Sequence, residues 1–221
     1  MASLQGLMDD VMGWLNRRDI ASLLPGWVSM VELDIAETLR ARCMVKFGVQ
    51  QLDNAYIALP VDFAAMESIR DNLTGDILHL KDEWSGSWTE DYRGHSDVDW
   101  QINSNAPSTN YRLLADCIEF LPHPTIPDPP DPSYNYQAVM MGWYAKPTPL
   151  VGASDTNAVL DQLYGVYLFG ACKYGALFEL DDDRAAQMDA QFQQVVTRAN
   201  LWKQQSDYSG APYRAEMAVV F

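Results

Sequence analysis

Three histidines, three cysteines and a set of tryptophans beside acids are the residues of this 221-residue chain whose types can carry chemistry. His79, His95 and His123 are isolated, and Cys43, Cys117 and Cys172 lie far apart. A zinc site needs at least three converging ligands, and neither a His-x-x-x-His nor a Cys-x-x-Cys pair occurs. His95-Ser-Asp97 holds triad residue types, but near neighbours in a loop rarely reach triad geometry. Asp97 and Asp99 alternate as calcium-loop ligands do, yet the glycine and the distal glutamate of such a loop are missing. No phosphate-cradling glycine-rich loop or dinucleotide fingerprint is present. Trp84, Trp88 and Trp100 have Glu83, Glu90 and Asp91 beside them. In a glycosidase such aromatics stack a sugar while two carboxyls, roughly 5 to 9.5 Å apart, hydrolyse it. Anchoring a long segment to the core or to a neighbour accounts for the same tryptophans. The sequence therefore predicts no catalytic residue, no cofactor and no metal.

Charge narrows the partners. Thirty acidic against fifteen basic residues give a net charge of −15, which argues against a direct grip on nucleic acid. Between Asp71 and Asp131 there are twelve acids against Lys81, Arg93 and Arg112, a net of −9, so the remainder carries −6. A solvated acidic face is the plain reading. A sharper one is a passage along which DNA slides without sticking. An odd cysteine count with no pairing pattern gives no disulfide framework, and no basic segment precedes an apolar run at the N-terminus. Both features predict synthesis in a reducing cytoplasm.

The elements that must position these residues follow from periodicity. Leu4, Leu7, Met8, Val11, Met12 and Leu15 form a three-four stripe, and Asn16-Arg17-Arg18 is expected to end that helix, basic residues suiting a C-terminus. A second helix should begin near Pro25 and bury Val28, Val31, Ile35 and Leu39. Short strands are predicted at Met44–Phe47, Tyr56–Leu59, Met66–Ile69, Asp116–Leu121 and Tyr134–Tyr144. Residues 71–110 lack periodicity and read as an acidic excursion. Six prolines from Pro122 to Pro132 force an extended link.

Ala158 to Phe178 is apolar nearly all round, so it must be buried by its own domain, a membrane or neighbouring subunits. Asp161, Lys173, three glycines and the absence of flanking basic clusters argue against the membrane. Asp181-Asp182-Asp183 suits the start of a new helix, with Met188, Phe192, Val195, Ala199 and Trp202 as its apolar stripe. Beyond Gln205 the pattern stops, and the Gly–Pro content of Tyr208–Arg214 predicts an extended tail. The expected fold is α+β: an antiparallel helical bundle of two N-terminal helices and a long C-terminal helical hairpin, with a β-rich insertion. The divisions are 1–42, 43–150, 151–206 and a tail at 207–221.

The chain resembles the head-to-tail adaptor (connector) proteins of tailed bacteriophages, especially short-tailed ones. The resemblance rests on Leu59-Pro-Val-Asp-Phe63, Ile118-Glu-Phe-Leu-Pro122 and Trp143-Tyr-Ala-Lys-Pro-Thr-Pro-Leu150. Leu163-Tyr164 through Ala171, Asp181-Asp-Asp-Arg184 and Tyr208-Ser-Gly-Ala-Pro-Tyr-Arg214 complete it. It covers most of residues 20–214 in order and texture, and departs from the family in the Asp71–Asn110 excursion and the Pro122–Pro132 link. It implies a virion protein with no enzymatic activity and no membrane partner. Such proteins form a homo-oligomeric ring, commonly of twelve copies, beneath the portal. The ring extends the DNA channel, passes the genome without specific binding, and offers a platform to tail proteins (nozzle, tail fibre or tail tube). Carried onto this sequence, a portal-binding tail would use Tyr208, Pro212, Tyr213, Arg214 and Phe221. Tyr164, Tyr167, Leu168, Tyr174 and Phe178 are expected at the subunit interface, and Trp84, Trp88 and Trp100 at a tail-protein contact. The rival class is a tail-associated carbohydrate-binding or peptidoglycan-degrading protein that uses the Trp84–Trp100 excursion.

Overall fold

The computed structural model describes residues 2–80, 108–121 and 137–208, with side chains to Trp202. The chain divides into two compact units, one of Met1–Met44 with Ala145–Phe221 and one of Val45–Tyr144.

The first unit is helical. Helix α1 (Leu4–Leu15) starts at Ser3, whose hydroxyl accepts the Gly6 N–H at 3.2 Å, and buries Leu4, Leu7, Val11 and Leu15 as the stripe predicts. Its stop is steric rather than electrostatic. Asn16 turns left-handed at φ 54, a conformation asparagine tolerates, and Arg17 instead pairs with Asp19 and Glu179. Helix α2 (Leu24–Thr38) carries Pro25 in its first turn and buries Trp27, Val28, Val31 and Ile35.

The single helix expected over Ala158–Phe178 is two. Asn157 caps α3 (Ala158–Gln162) by accepting the Leu160 N–H, and the chain leaves helical geometry at Leu163 (φ −129, ψ 46) before α4 (Tyr164–Phe178). The break lets each piece find its own neighbour: α3 meets the short 3-10 turn at Arg42–Met44, whereas α4 packs on α1 and α2. Helix α5 (Asp182–Tyr208) also lies on α4 and runs three residues past the predicted stop at Gln205, because no breaker precedes Gly210. The remaining tail, Ser209–Phe221, lies outside the described residues. No helix among the described residues is long and apolar enough to cross a membrane.

The second unit is β. Strand β1 (Val45–Gln51) pairs antiparallel with β7 (Ala138–Ala145), from Val45 opposite Tyr144 to Gln51 opposite Ala138, and β3 (Phe63–Asp71) flanks β7 on its other side. A four-stranded sheet runs β2 (Tyr56–Ala58), β6 (Cys117–Leu121), β5 (Asn110–Leu113) and β4 (His79–Leu80). A strand overlaps each of the five predicted spans, residues 134–136 of the last being outside the described residues, while β4 and β5, parallel to each other, were not predicted. They are short, two and four residues, and lie beside unpatterned sequence. Ile69, Val139 and Met141 of the first sheet share one buried cluster with Tyr111, Ile118 and Phe120 of the second.

Candidate interaction surfaces

Helix α4 is the axis of its unit, and its burial is supplied mostly by its own chain. Val166, Tyr167, Leu168, Gly170, Ala171, Cys172, Gly175 and Ala176 are all buried. At and just beyond its last turn, Leu177, Phe178 and the following Leu180 stand outward. Two of its glycines explain how helices come so close. A methyl group at Gly170 would lie 2.8 Å from Val31 of α2, and one at Gly175 would lie 2.4 Å from Leu15 of α1.

Polar side chains of α4 are held by carboxylates and amides of its neighbours. The Tyr167 ring is fully buried; its hydroxyl accepts a hydrogen bond from Asn157 Nδ2 at 2.8 Å and donates to Glu32 Oε1 at 3.5 Å. Glu32 also accepts the Leu150 N–H at 2.9 Å, so α2, α4 and the 148–157 segment are tied at one point. Burial raises the Glu32 carboxyl above its ordinary value despite these donors, and burial likewise raises the Tyr167 phenol. Lys173 is mostly covered: its ammonium meets Asp34 at 2.9 Å and Asp189 at 3.5 Å and stands over the Phe192 ring at 5.1 Å. Burial works to lower its pKa, but the hydrogen bond and charge of Asp34 outweigh it and the net shift is upward. Tyr174 donates to the same Asp34 oxygen at 2.9 Å, and Tyr164 donates to Asp10 at 2.5 Å.

Helix ends are also secured across elements. Asn200 of α5 accepts the Arg40 N–H at 2.7 Å and donates to the Thr38 carbonyl at 3.1 Å, closing the end of α2. Arg184 of α5 donates to the Trp14 carbonyl at 2.6 Å in the last turn of α1. In the β unit, Asp71 accepts the Leu73 and Thr74 N–H groups at 2.8 Å each and the Gln137 amide at 2.8 Å. Burial alone would raise this carboxyl; the donors reverse the effect and hold it below its usual value. Gln137 also accepts the Ser108 N–H at 2.8 Å, so the three chain points that border the excursion and the proline link are joined.

The residues expected to act therefore differ in position. Tyr167 and Leu168 are covered within the chain, Tyr164 and Tyr174 are half-covered, and Phe178 is 56% exposed with its ring tilted against Trp27 at 5.9 Å. Trp84, Trp88, Trp100, Pro212, Tyr213, Arg214 and Phe221 lie outside the described residues, as does the side chain of Tyr208, the last residue of α5. Trp202, placed in the buried stripe of α5, is instead 73% exposed, and Leu201 beside it is also exposed. The reason is length: α5 has 27 residues and α4 has 15, so the final turns of α5 outrun the helix that covers its stripe. Leu180, the end of the apolar run, is 88% exposed. Sequence reasoning missed Trp14, exposed and off the α1 stripe.

Burial raises the thiols of Cys43 and Cys117 and pushes Cys172 up to about 11, so none is a ready thiolate at neutral pH. Among the described residues no three metal-ligating side chains gather, and His79 stands exposed on β4.

Helix α4 is thus wrapped by α1, α2 and α5, and its last turn is offered to solvent. The chain belongs to the SU10 adaptor family: residues 2–216 match the family described as SU10 adaptor protein. It is a structural adaptor of a bacteriophage. A comparison with curated proteins found no match.

Proposed function

We propose that this protein is the head-to-tail adaptor of a short-tailed phage: a ring, twelve copies in the reading given above, seated beneath the portal. The observation that carries it is membership of the adaptor family over residues 2–216. In this reading the helical unit is an antiparallel bundle whose α4–α5 pair forms a hairpin, and rings close by contacts between neighbouring bundles. The exposed apolar turn of α4 supports that assignment, since Phe178 with Tyr174 one turn before it offers aromatic surface of the kind enriched at interface centres, and Tyr164 stands half-covered at the other end of the helix. Tyr167 and Leu168 then act from within, fixing the shape that α4 presents. The net charge of −15 suits a channel through which DNA passes without specific binding. Tail proteins are assigned to the segment containing Trp84, Trp88 and Trp100, and the portal to the segment containing Tyr208, Pro212, Tyr213, Arg214 and Phe221. An extended tail can add backbone hydrogen bonds to a strand of the portal and seat its aromatics in pockets.

Electron microscopy of intact particles tests the whole reading: a closed ring of this chain between head and tail is expected, and its absence there refutes it. Deletion of 209–221 tests the tail separately. The shortened protein should fold, give the wild-type helical signal, and fail to join portal-bearing heads; unchanged attachment refutes the tail's role.

A further inference from the structure

The turn between α4 and α5 holds a leucine where the backbone favours glycine. Leu180 has φ 60. The Leu180 N–H bonds the Leu177 carbonyl and the Asp181 N–H bonds the Ala176 carbonyl at 3.1 Å each, a Schellman closure whose left-handed position is normally glycine. A leucine there is strained and gains nothing from burial, because it is 88% exposed. With Leu177 and Phe178 it makes an outward apolar knob, beside which the exposed Asp181, Asp182 and Asp183 add negative charge.

The same chain carries a surface of opposite character. The outer face of α5 carries an open stripe of Ala190, Gln193, Gln194, Thr197, Arg198, Leu201 and Trp202, all on one side of the helix. Leu201 and Trp202 supply exposed apolar surface, and Arg198 supplies a cation. Knob and stripe cannot meet within one molecule. From Asp182 to Arg198 the rigid helix rises about 24 Å, so the knob's complement can reach it only from another copy. We infer that the Leu177–Phe178–Leu180 knob of one copy packs on the α5 stripe of the next, with Asp181–Asp183 facing Arg198. Two different patches joined head to tail make a heterologous contact, which closes into a ring where the rotation between copies closes. This inference rests on the ring reading and assigns its interface.

The test places the photo-crosslinking residue p-benzoylphenylalanine at position 180 in assembled particles. Expected is a product of two chains, each 24.9 kDa, linked between residue 180 of one and residues 190–202 of the other. A link to any other virion protein, a link elsewhere on a sister chain, or no link overturns the assignment. A second arm uses Leu180→Gly, which removes the most exposed side chain of the knob and relieves the backbone. Its thermal midpoint should equal or exceed wild type while its copies per particle fall at least tenfold, as they should also in Trp202→Glu. Full incorporation of Leu180→Gly, or a lowered midpoint, overturns the inference. If microscopy shows the ring while residue 180 links elsewhere, only the knob assignment fails; if no ring of this chain exists, the reading beneath it fails.

Discussion

Gly170 of α4 lies so close to Val31 of α2 that a methyl group on it would stand 2.8 and 2.9 Å from the two valine Cγ atoms. In an open helix, glycine to alanine is favourable by about 1 kcal/mol. Here the neighbour is β-branched and stiff, so it cannot swing away. Gly170→Ala should therefore lower stability by about 1–3 kcal/mol, the usual cost of overpacking. Adding Val31→Ala should leave less than the sum of the two single losses. Urea unfolding of the four proteins measures the coupling, and strict additivity would mean the two sites do not touch.

Tyr167 and Glu32 form a second dependence. Tyr167→Phe removes the hydroxyl that meets Asn157 and Glu32 within a buried site, at an expected cost of about 1–2 kcal/mol. Because burial raises the Glu32 carboxyl in the folded state, folding takes up protons there and stability falls as pH rises from the ordinary carboxyl value of 4.5 through the raised one. Glu32→Gln should remove this contribution and raise stability at pH 7 relative to pH 4. Thermal midpoints at the two pH values are the readout, and an unchanged pH profile would contradict it.

Lys173 works in the alkaline direction. Its folded pKa lies above the ordinary 10.5, so its contribution is fully present below that value and is lost as pH climbs through the raised one. Wild type should lose stability above pH 10.5 by a component absent from Lys173→Met. At pH 7 that variant should be about 1–3 kcal/mol less stable, since Asp34 is left half-buried without its cation. Alkaline titration of both proteins, followed by circular dichroism, separates them.

Asn200 closes the end of α2 from α5, and Asn200→Ala forfeits both of its hydrogen bonds. A loss of about 1–2 kcal/mol is expected. Amide hydrogen exchange should quicken at Arg40, whose N–H loses its acceptor, while α1 keeps its protection. Equal loss of protection in both helices would show that the contact is not local.

Leu180→Gly should stabilise the isolated chain by about 1 kcal/mol, the difference between a side chain and none at a left-handed position. Differential scanning calorimetry gives the sign directly. A destabilised variant would mean that the leucine packs in solution despite its exposure.

Local spacing alone determined the starts of α1, α2 and α5 and the inward face of α1. The three-four stripe of Leu4 to Leu15, Pro25 in a first turn and three acids at the start of α5 act through the backbone of their own segment, so they could be read without a partner. The same holds for the five strands that combine apolar and aromatic texture with turn residues. Tertiary structure decided the rest. Whether α4 is covered depends on where α1, α2 and α5 run, and the all-round apolar sequence is compatible with either its own chain or a neighbour's. Trp202 fits the α5 stripe in sequence but lies beyond the end of the helix that would cover it. Leu180 ends the apolar run in the sequence, and its left-handed backbone and its exposure are set by the turn between two helices. Gly170 and Gly175 look like helix-weakening residues, and only the approach of Val31 and Leu15 shows that their missing side chains set the distance between helices. Periodicity is a property of one element; exposure and close approach belong to pairs of elements, and distant segments of the chain must come together before either exists.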